Sequence, residues 1–209
     1  MDKMTGTVDN AAFFKLSYGL FVLTAKDGDK DNGCIINTLT QITSTPQRIS
    51  FAVNKSNFTH DMIRKTGSFT ISILGIETPF SVFQCFGFQS GRDLNKFADI
   101  HETKRSANGI RYEGRYANSF ISGNVISTGD YGTHTLFIAD VTEAAVLTAV
   151  PSLTYQYYFD HIKPKPAAGA AKKKGYVCKI CGYVYEGDEL PPDFVCPLCK
   201  HGSSDFEKL

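Results

Sequence analysis

The sequence predicts a mainly β protein in two parts: a β domain over residues 1–162 and a small metal-bound module over 176–209, joined by a linker over 163–175. Three observations carry this. Runs rich in β-branched and aromatic residues recur at 18–25, 49–53, 68–74, 120–126 and 133–146, with turn signals between them. No Gly-x-Gly-x-x-Gly follows a strand and no Walker loop occurs, which removes the usual dinucleotide- and nucleoside-triphosphate-binding folds. Finally, Cys178 and Cys181, then Cys196 and Cys199, form two C-x2-C pairs near the C-terminus.

A chain of 209 residues allows one or two domains. Its formal net charge of +1 gives no bulk electrostatic reason to expect nucleic acid, and no run of apolar residues is long enough to span a membrane. The charge is unevenly spread. Lys163, Lys165, Lys172, Lys173 and Lys174 crowd the linker, while Tyr176–Leu209 holds three Lys against six acids. The acidic module would steer a basic partner surface or simply keep the protein soluble. No signal-peptide pattern is read at the N-terminus, and four of the six cysteines stand in a metal pattern. Both point to a reducing, cytoplasmic setting.

Taken in order, 11–17 reads as a short helix and 18–25 as a buried strand. Residues 26–33, with Asp-Gly and Asn-Gly pairs, read as the turn to a second strand starting near Cys34. Residues 34–43 read as one strand rich in Thr, Asn and Gln, either an edge strand with a polar face or a ligand-facing one. Thr45-Pro46 breaks it, and 49–53 resumes. Asn54-Lys55-Ser56-Asn57 then leads into a helix capped near Asn57, a place where backbone amides bind phosphates well. The strand 68–74 follows, then helices at 78–88 and 93–97, a poorly patterned stretch 105–117, strands 120–126 and 133–146, and a Tyr-rich helix 153–162. The linker, of Pro, Ala, Gly and Lys, has nothing to bury; it spans ~20 Å as a coil and at most ~43 Å extended.

The C-terminal pairs are the sharpest signal. A C-x2-C turn points two sulfurs at one centre, and two facing turns close a tetrahedral thiolate site for iron or zinc. Two disulfides would need an oxidising compartment, and a thioredoxin-like dithiol uses one such pair. Spacing alone does not separate the two metals. The flanks Cys181-Gly182-Tyr183-Val184-Tyr185 and Pro192-Asp193-Phe194-Val195-Cys196-Pro197-Leu198-Cys199 resemble rubredoxin, with Tyr176, Tyr183, Tyr185 and Phe194 at its aromatic positions. Phe194 stands where rubredoxins usually carry Trp, and the pairs are closer together than in most of that family. The resemblance implies that Cys178, Cys181, Cys196 and Cys199 bind one iron that shuttles single electrons. So small a module needs its metal to fold.

The first domain resembles the flavin reductase family with its FMN-binding split barrel. The segments that carry this are 16–24, Asn37–Gln41, Phe51–Ser56, Phe69–Leu74 and Gly132–Val141. The resemblance implies an antiparallel six-stranded barrel, a homodimer, bound FMN and oxidation of NAD(P)H. It makes Asn37, Thr38, Leu39, Thr40 and Gln41 candidates along the flavin ring. Asn54, Lys55, Ser56, Asn57 and Thr59 become candidates for its ribityl and phosphate, and Phe88, Ser90 and Arg92 for a loop over it. His134 matches a family histidine near the nicotinamide; its plain alternative is a strand histidine. Cys34 and Cys85 read as small apolar packers. Together the two parts resemble the high-molecular-weight rubredoxins, a flavin reductase-like domain fused to a rubredoxin. That implies a relay from NAD(P)H through FMN to an Fe(Cys)4 centre and on to an acceptor such as a flavodiiron oxygen or nitric oxide reductase. The alternative is a flavin reductase or flavin-binding module with a structural zinc-ribbon tail.

Overall fold

The computed structural model describes residues 7–100, 104–164, 175–179, 183–196 and 202–209. After a 3-10 turn at Asn10–Lys15, the first domain runs β1 (Phe21–Asp27), β2 (Lys30–Ile36), β3 (Thr40–Ser44), β4 (Gln47–Asn54), α1 (Phe58–Thr66), β5 (Ser68–Leu74), α2 (Phe80–Gly87), β6 (Lys104–Arg105), β7 (Arg111–Tyr112), β8 (Ala117–Tyr131), β9 (His134–Val146) and α3 (Tyr155–Tyr157), which continues as a π-turn at Tyr158–Ile162.

Seven strands form one antiparallel sheet in the order β2-β1-β5-β8-β9-β4-β3. The covalent chain shows that this sheet is rolled. β2 and β3 are its opposite edges, about 29 Å apart if the sheet were flat at the usual strand spacing. Yet only Asn37, Thr38 and Leu39 join them, a reach of about 14 Å. The edges must therefore curl together. Thr38 clasps the join: its Oγ1 donates to the Ala52 carbonyl at 3.0 Å and accepts from the Ala52 amide at 2.9 Å. Phe51 and Phe69, on strands three places apart in the sheet, have ring centroids 4.7 Å apart, which a flat sheet forbids.

Burial follows the two-residue period of a strand. In β1, Phe21, Leu23 and Ala25 face the barrel interior with Ile36, Phe51, Phe69 and Phe137, where α1 adds Met62 and Ile63. Leu20 and Val22 face outward, but they are covered by Val82, Phe83 and Phe86 of α2 and by Tyr158. A strand buried on both faces reads as an unbroken apolar run.

The structure corrects several boundaries. The first hairpin turn is shorter than expected, since β2 already begins at Lys30. Residues 34–43 are not one strand, because the chain must cross from edge to edge at 37–39. The segment 93–97 forms turns rather than a helix, 105–117 contains the small β6–β7 hairpin, and only one α-helical turn precedes the π-turn at 158–162. No helix among the described residues is long and apolar enough to cross a membrane.

In the C-terminal module β10 (Tyr176–Cys178) lies between β11 (Val184–Tyr185) and β12 (Phe206–Lys208). Its core is Phe206 with Tyr185 and Phe194, whose rings lie 4.7 Å from each other and 5.4 Å from Phe194 to Phe206.

Candidate functional site

The end of β4 and the start of α1 build one wall of a cleft. Asn54 Oδ1 accepts hydrogen bonds from the Ser56 amide and the Ser56 hydroxyl, both at 2.9 Å, which turns the chain sharply into the helix. Asn57 is the N-cap residue, as its position in the sequence suggests, but its side chain makes no capping bond. The first amides of this nine-residue helix therefore lack that side-chain partner, and the positive end of the helix faces the cleft. Behind them Thr59 Oγ1 accepts from Asn32 Nδ2 at 2.9 Å. Asn32 is buried, and its Oδ1 has no protein partner.

The cleft has two joined compartments. The polar one, of about 490 Å³, is lined by Asn32, Ser56, Asn57, Thr59, Ser90 and Lys96 among others. The apolar one, of about 290 Å³, is walled by Leu20, Phe83, Phe86, Tyr155, Tyr158 and Phe159. Ser56, Asn57, Gly87 and Phe88 belong to both. An aromatic slot opening onto amides, hydroxyls and a cation suits a flat ring carrying a polar, anionic tail. The unpartnered Asn32 amide oxygen suits a hydroxyl donor on that tail. The residues thus fit a flavin.

Lys96 supplies the cation. It is 5 % exposed, and its Nζ donates to the Gly33 carbonyl at 2.8 Å and the Phe86 carbonyl at 3.1 Å. Burial lowers its ammonium below the ordinary lysine range. No carboxylate pairs with it among the described residues. Neither Lys96 nor Asn32 was marked by the sequence reading. Lys96 sits in a stretch expected to be a short helix, and Asn32 in a stretch expected to be a turn. A lysine flanked by the buried Phe97 was the available signal.

Of the expected residues, Asn54, Ser56, Asn57, Thr59, Phe88 and Ser90 come together at the cleft. Others turn to different work. Lys55 pairs with Asp130 at 2.6 Å. Arg92 pairs with Asp61 and lies 5.0 Å over the Phe58 ring. Asn37 is half-buried on the edge crossing, Thr38 holds the barrel seam, and Leu39 packs on the barrel core. Thr40 and Gln41 are exposed on β3. His134 is exposed at the start of β9, directly across from Asn54, with Nδ1 2.9 Å from Thr133 Oγ1. Cys34 is buried in the core, Cys85 is half-buried, and burial pushes both thiols up, as apolar packers require.

In the module, Cys178 and Cys196 are 1 % and 0 % exposed and share one cluster with Phe206. They come from different segments, and no disulfide joins the two to each other. Their partners in each C-x2-C pair, Cys181 and Cys199, lie outside the described residues. Two buried thiols in one cluster, each the first cysteine of a C-x2-C pair, fit a thiolate metal centre. Phe88 also packs against this cluster, so one residue lines the cleft and meets the module's core.

Comparison with known proteins defines the class. The sequence matches the family described as "Flavin reductase like domain" over residues 13–165, and the chain belongs to that family. Residues 176–207 match a second family, "Rubrerythrin, rubredoxin-like domain". The chain is thus of an oxidoreductase class that carries a flavin in one part and iron in the other. More particularly, it is similar to the "High molecular weight rubredoxin" of Moorella thermoacetica, at 39% identity over 97% of this chain and 100% of the relative. It is also similar to a "Ferric-chelate reductase (NAD(P)H)" of Archaeoglobus fulgidus, at 36% identity over 72% of this chain and 89% of that one. Among solved structures, the styrene monooxygenase flavin reductase of Pseudomonas putida S12 superposes with a TM-score of 0.58 at 26% identity, covering 69% of this chain and 89% of the other.

Proposed function

We propose that this protein is an electron-transfer oxidoreductase that takes electrons from NAD(P)H through FMN to an Fe(Cys)4 centre and on to a redox partner. The observation that carries this is Phe88, which lines the cleft and packs against the cluster that holds Cys178, Cys196 and Phe206. Bound flavin supplies the exchange between a two-electron hydride donor and single electrons, and bound iron carries the single electrons.

The chain's own residues divide the work. Phe83, Phe86, Tyr155 and Phe159 form a dry slot for the ring. Ser56, the amides after Asn57, Thr59, Ser90 and Lys96 hold the ribityl and phosphate. The segment Asn37–Gln41 joins the ring side through its seam with Ala52, two residues before Asn54. Arg92 fixes the neighbouring loop through Asp61. His134, across from Asn54, is the nicotinamide contact. Cys178, Cys181, Cys196 and Cys199 are the iron ligands. We place the protein in the cytoplasm as a homodimer, with a flavodiiron oxygen or nitric oxide reductase as the acceptor.

The test is the visible spectrum of the protein from an iron-supplied culture, followed by anaerobic titration with NADH and then NADPH. Ferric-thiolate and flavin bands that both bleach are expected. A flavin spectrum alone, with zinc in place of iron, overturns the relay in favour of a flavin reductase with a structural tail. Both spectra without bleaching move the entry of electrons to a separate reductase.

A further inference from the structure

We propose that Lys163 is a positioning residue that clamps the metal-binding module onto the flavin cleft of its own chain. The proposal rests on the relay reading for its purpose, though its geometry stands apart from it. Lys163 follows directly on the π-turn at Tyr158–Ile162, and its backbone amide donates to the Tyr158 carbonyl at 2.8 Å, so its start is fixed. From there its Nζ donates to the Lys179 carbonyl at 2.9 Å. Lys179 is the residue after Cys178, inside the first C-x2-C loop. The same ammonium lies 4.9 Å over the Phe159 ring, a wall of the apolar compartment. One cation therefore bridges the cleft wall and the metal loop.

Two further contacts make this a docked face rather than a lone bond. Phe88, at the end of α2, packs with the cluster of Cys178, Cys196 and Phe206. Gly202, three residues past Cys199, lines the polar compartment beside Ser56, Asn57 and Thr59. Lys179, next to Cys178, and Gly202, three residues past Cys199, thus both meet the first domain, one at Lys163 and one at the polar rim. The partner chemistry of each contact differs: a cation on a carbonyl, a ring on an aromatic core, and a backbone turn at a polar rim.

The charge of Lys163 also matters. A lysine ammonium held at the carbonyl next to a ligand favours extra negative charge at the thiolate centre. Docking therefore favours the more negative, reduced form of the centre, and release favours giving the electron up. The linker's reach of ~43 Å leaves room for such release. A clamp of one hydrogen bond and one ring contact suits a face that must open repeatedly.

Photo-cross-linking tests this without any electron flow. Gln89 lines the cleft beside Phe88. With Gln89→p-benzoylphenylalanine in the full chain, flavin and iron contents confirmed by absorbance, irradiation is expected to give adducts to residues 176–209 in the band of single-chain mass on a denaturing gel. Adding Lys163→Met is expected to lower that yield several-fold with iron content kept, and Lys163→Arg to restore it. The iron reduction potential is expected to fall in Lys163→Met and to recover in Lys163→Arg. An adduct yield unchanged in Lys163→Met overturns the clamp. Adducts found only in a band of two-chain mass overturn docking within one chain. A protein that fails to bleach with NADH but still forms the single-chain adduct loses the relay reading and keeps the clamp.

Discussion

Asn32 and Gly91 meet so closely that the pair has no slack. A Cβ at position 91 would overlap the Asn32 amide, its Oδ1 first. Gly91→Ala must push Asn32 off Thr59 and disturb the polar compartment. We expect a loss of about 2 kcal/mol in urea unfolding, the usual cost of forcing a methyl into a packed site, together with a lower flavin-to-protein ratio. Unchanged flavin content in a destabilised Gly91→Ala would detach Asn32 from the cofactor. Lys96 makes a second prediction at this scale. Lys96→Met removes the only described ammonium in the polar compartment and is expected to weaken flavin binding by roughly tenfold or more. Its pH signature is specific. The folded-state value lies below the ordinary 10.5, because burial disfavours the charged form. Between the folded value and 10.5 the unfolded chain binds more protons, so stability rises with pH through that window. In urea unfolding of the flavin-free proteins, wild type should gain on Lys96→Met as pH is raised toward 10.5. A constant difference would show that Lys96 keeps an ordinary value.

At the scale of elements, the long β8–β9 pair is bent by irregularities at Ser122/Gly123 and Val125/Ser127. Gly123 sits at the first of them, where an added Cβ would overlap the Asp140 carbonyl and come to 3.1 Å from Phe69. A glycine at a bulge lets the neighbouring backbone approach, and here that approach lets the sheet roll. Gly123→Ala is expected to cost about 3 kcal/mol in denaturant unfolding; a neutral result would mean that the seam can shift without opening the barrel. β1, β4, β5 and β9 were legible from their runs of β-branched and aromatic residues, because each buries such side chains in one core. The edge crossing at 37–39 was not, because nothing local tells a chain that its next strand lies on the opposite edge of a closed sheet. The 93–97 stretch failed for a similar reason. Its apolar spacing fits a helix, but Lys96 is drawn inward by the carbonyls of Gly33 and Phe86, which belong to other elements. At the site, the Ser56–Thr59 turn was legible from its polar run before a helix, and the gathering of Cys178 and Cys196 from the spacing of their pairs. Lys55 was read as a contact to the ribityl and phosphate and Arg92 as part of a loop over the flavin; their pairing with Asp130 and Asp61, on other elements, was not foreseen. Long-range charge pairing leaves no mark in a local pattern.

The molecule as a whole joins two units of unequal self-sufficiency. The barrel buries Phe51, Phe69, Phe137 and many aliphatic side chains. The described module buries Val177, Cys178, Cys196 and Phe206, too little apolar surface to offset the ordering of its chain. Its folding energy must come largely from the metal. Stripping the metal should therefore abolish amide protection at Tyr176–Cys178 and Val184–Tyr185 while the barrel strands stay protected, so unfolding is not a single transition. The coupling between the units is limited by what joins them in the described residues: the Lys163 bond to Lys179, the Phe88 contact and the Gly202 rim. A hydrogen bond from a charged group contributes about 1.5 kcal/mol or somewhat more. For a domain of this size each kcal/mol moves the midpoint by about 2–4 °C. Calorimetry of the iron-loaded and metal-stripped protein should show the barrel midpoint falling by about 6 °C or less. A fall of about 15 °C would mean that the module is part of the barrel's core and does not move as a carrier. A fall of a few degrees, erased in Lys163→Met, is what a docked but releasable carrier produces.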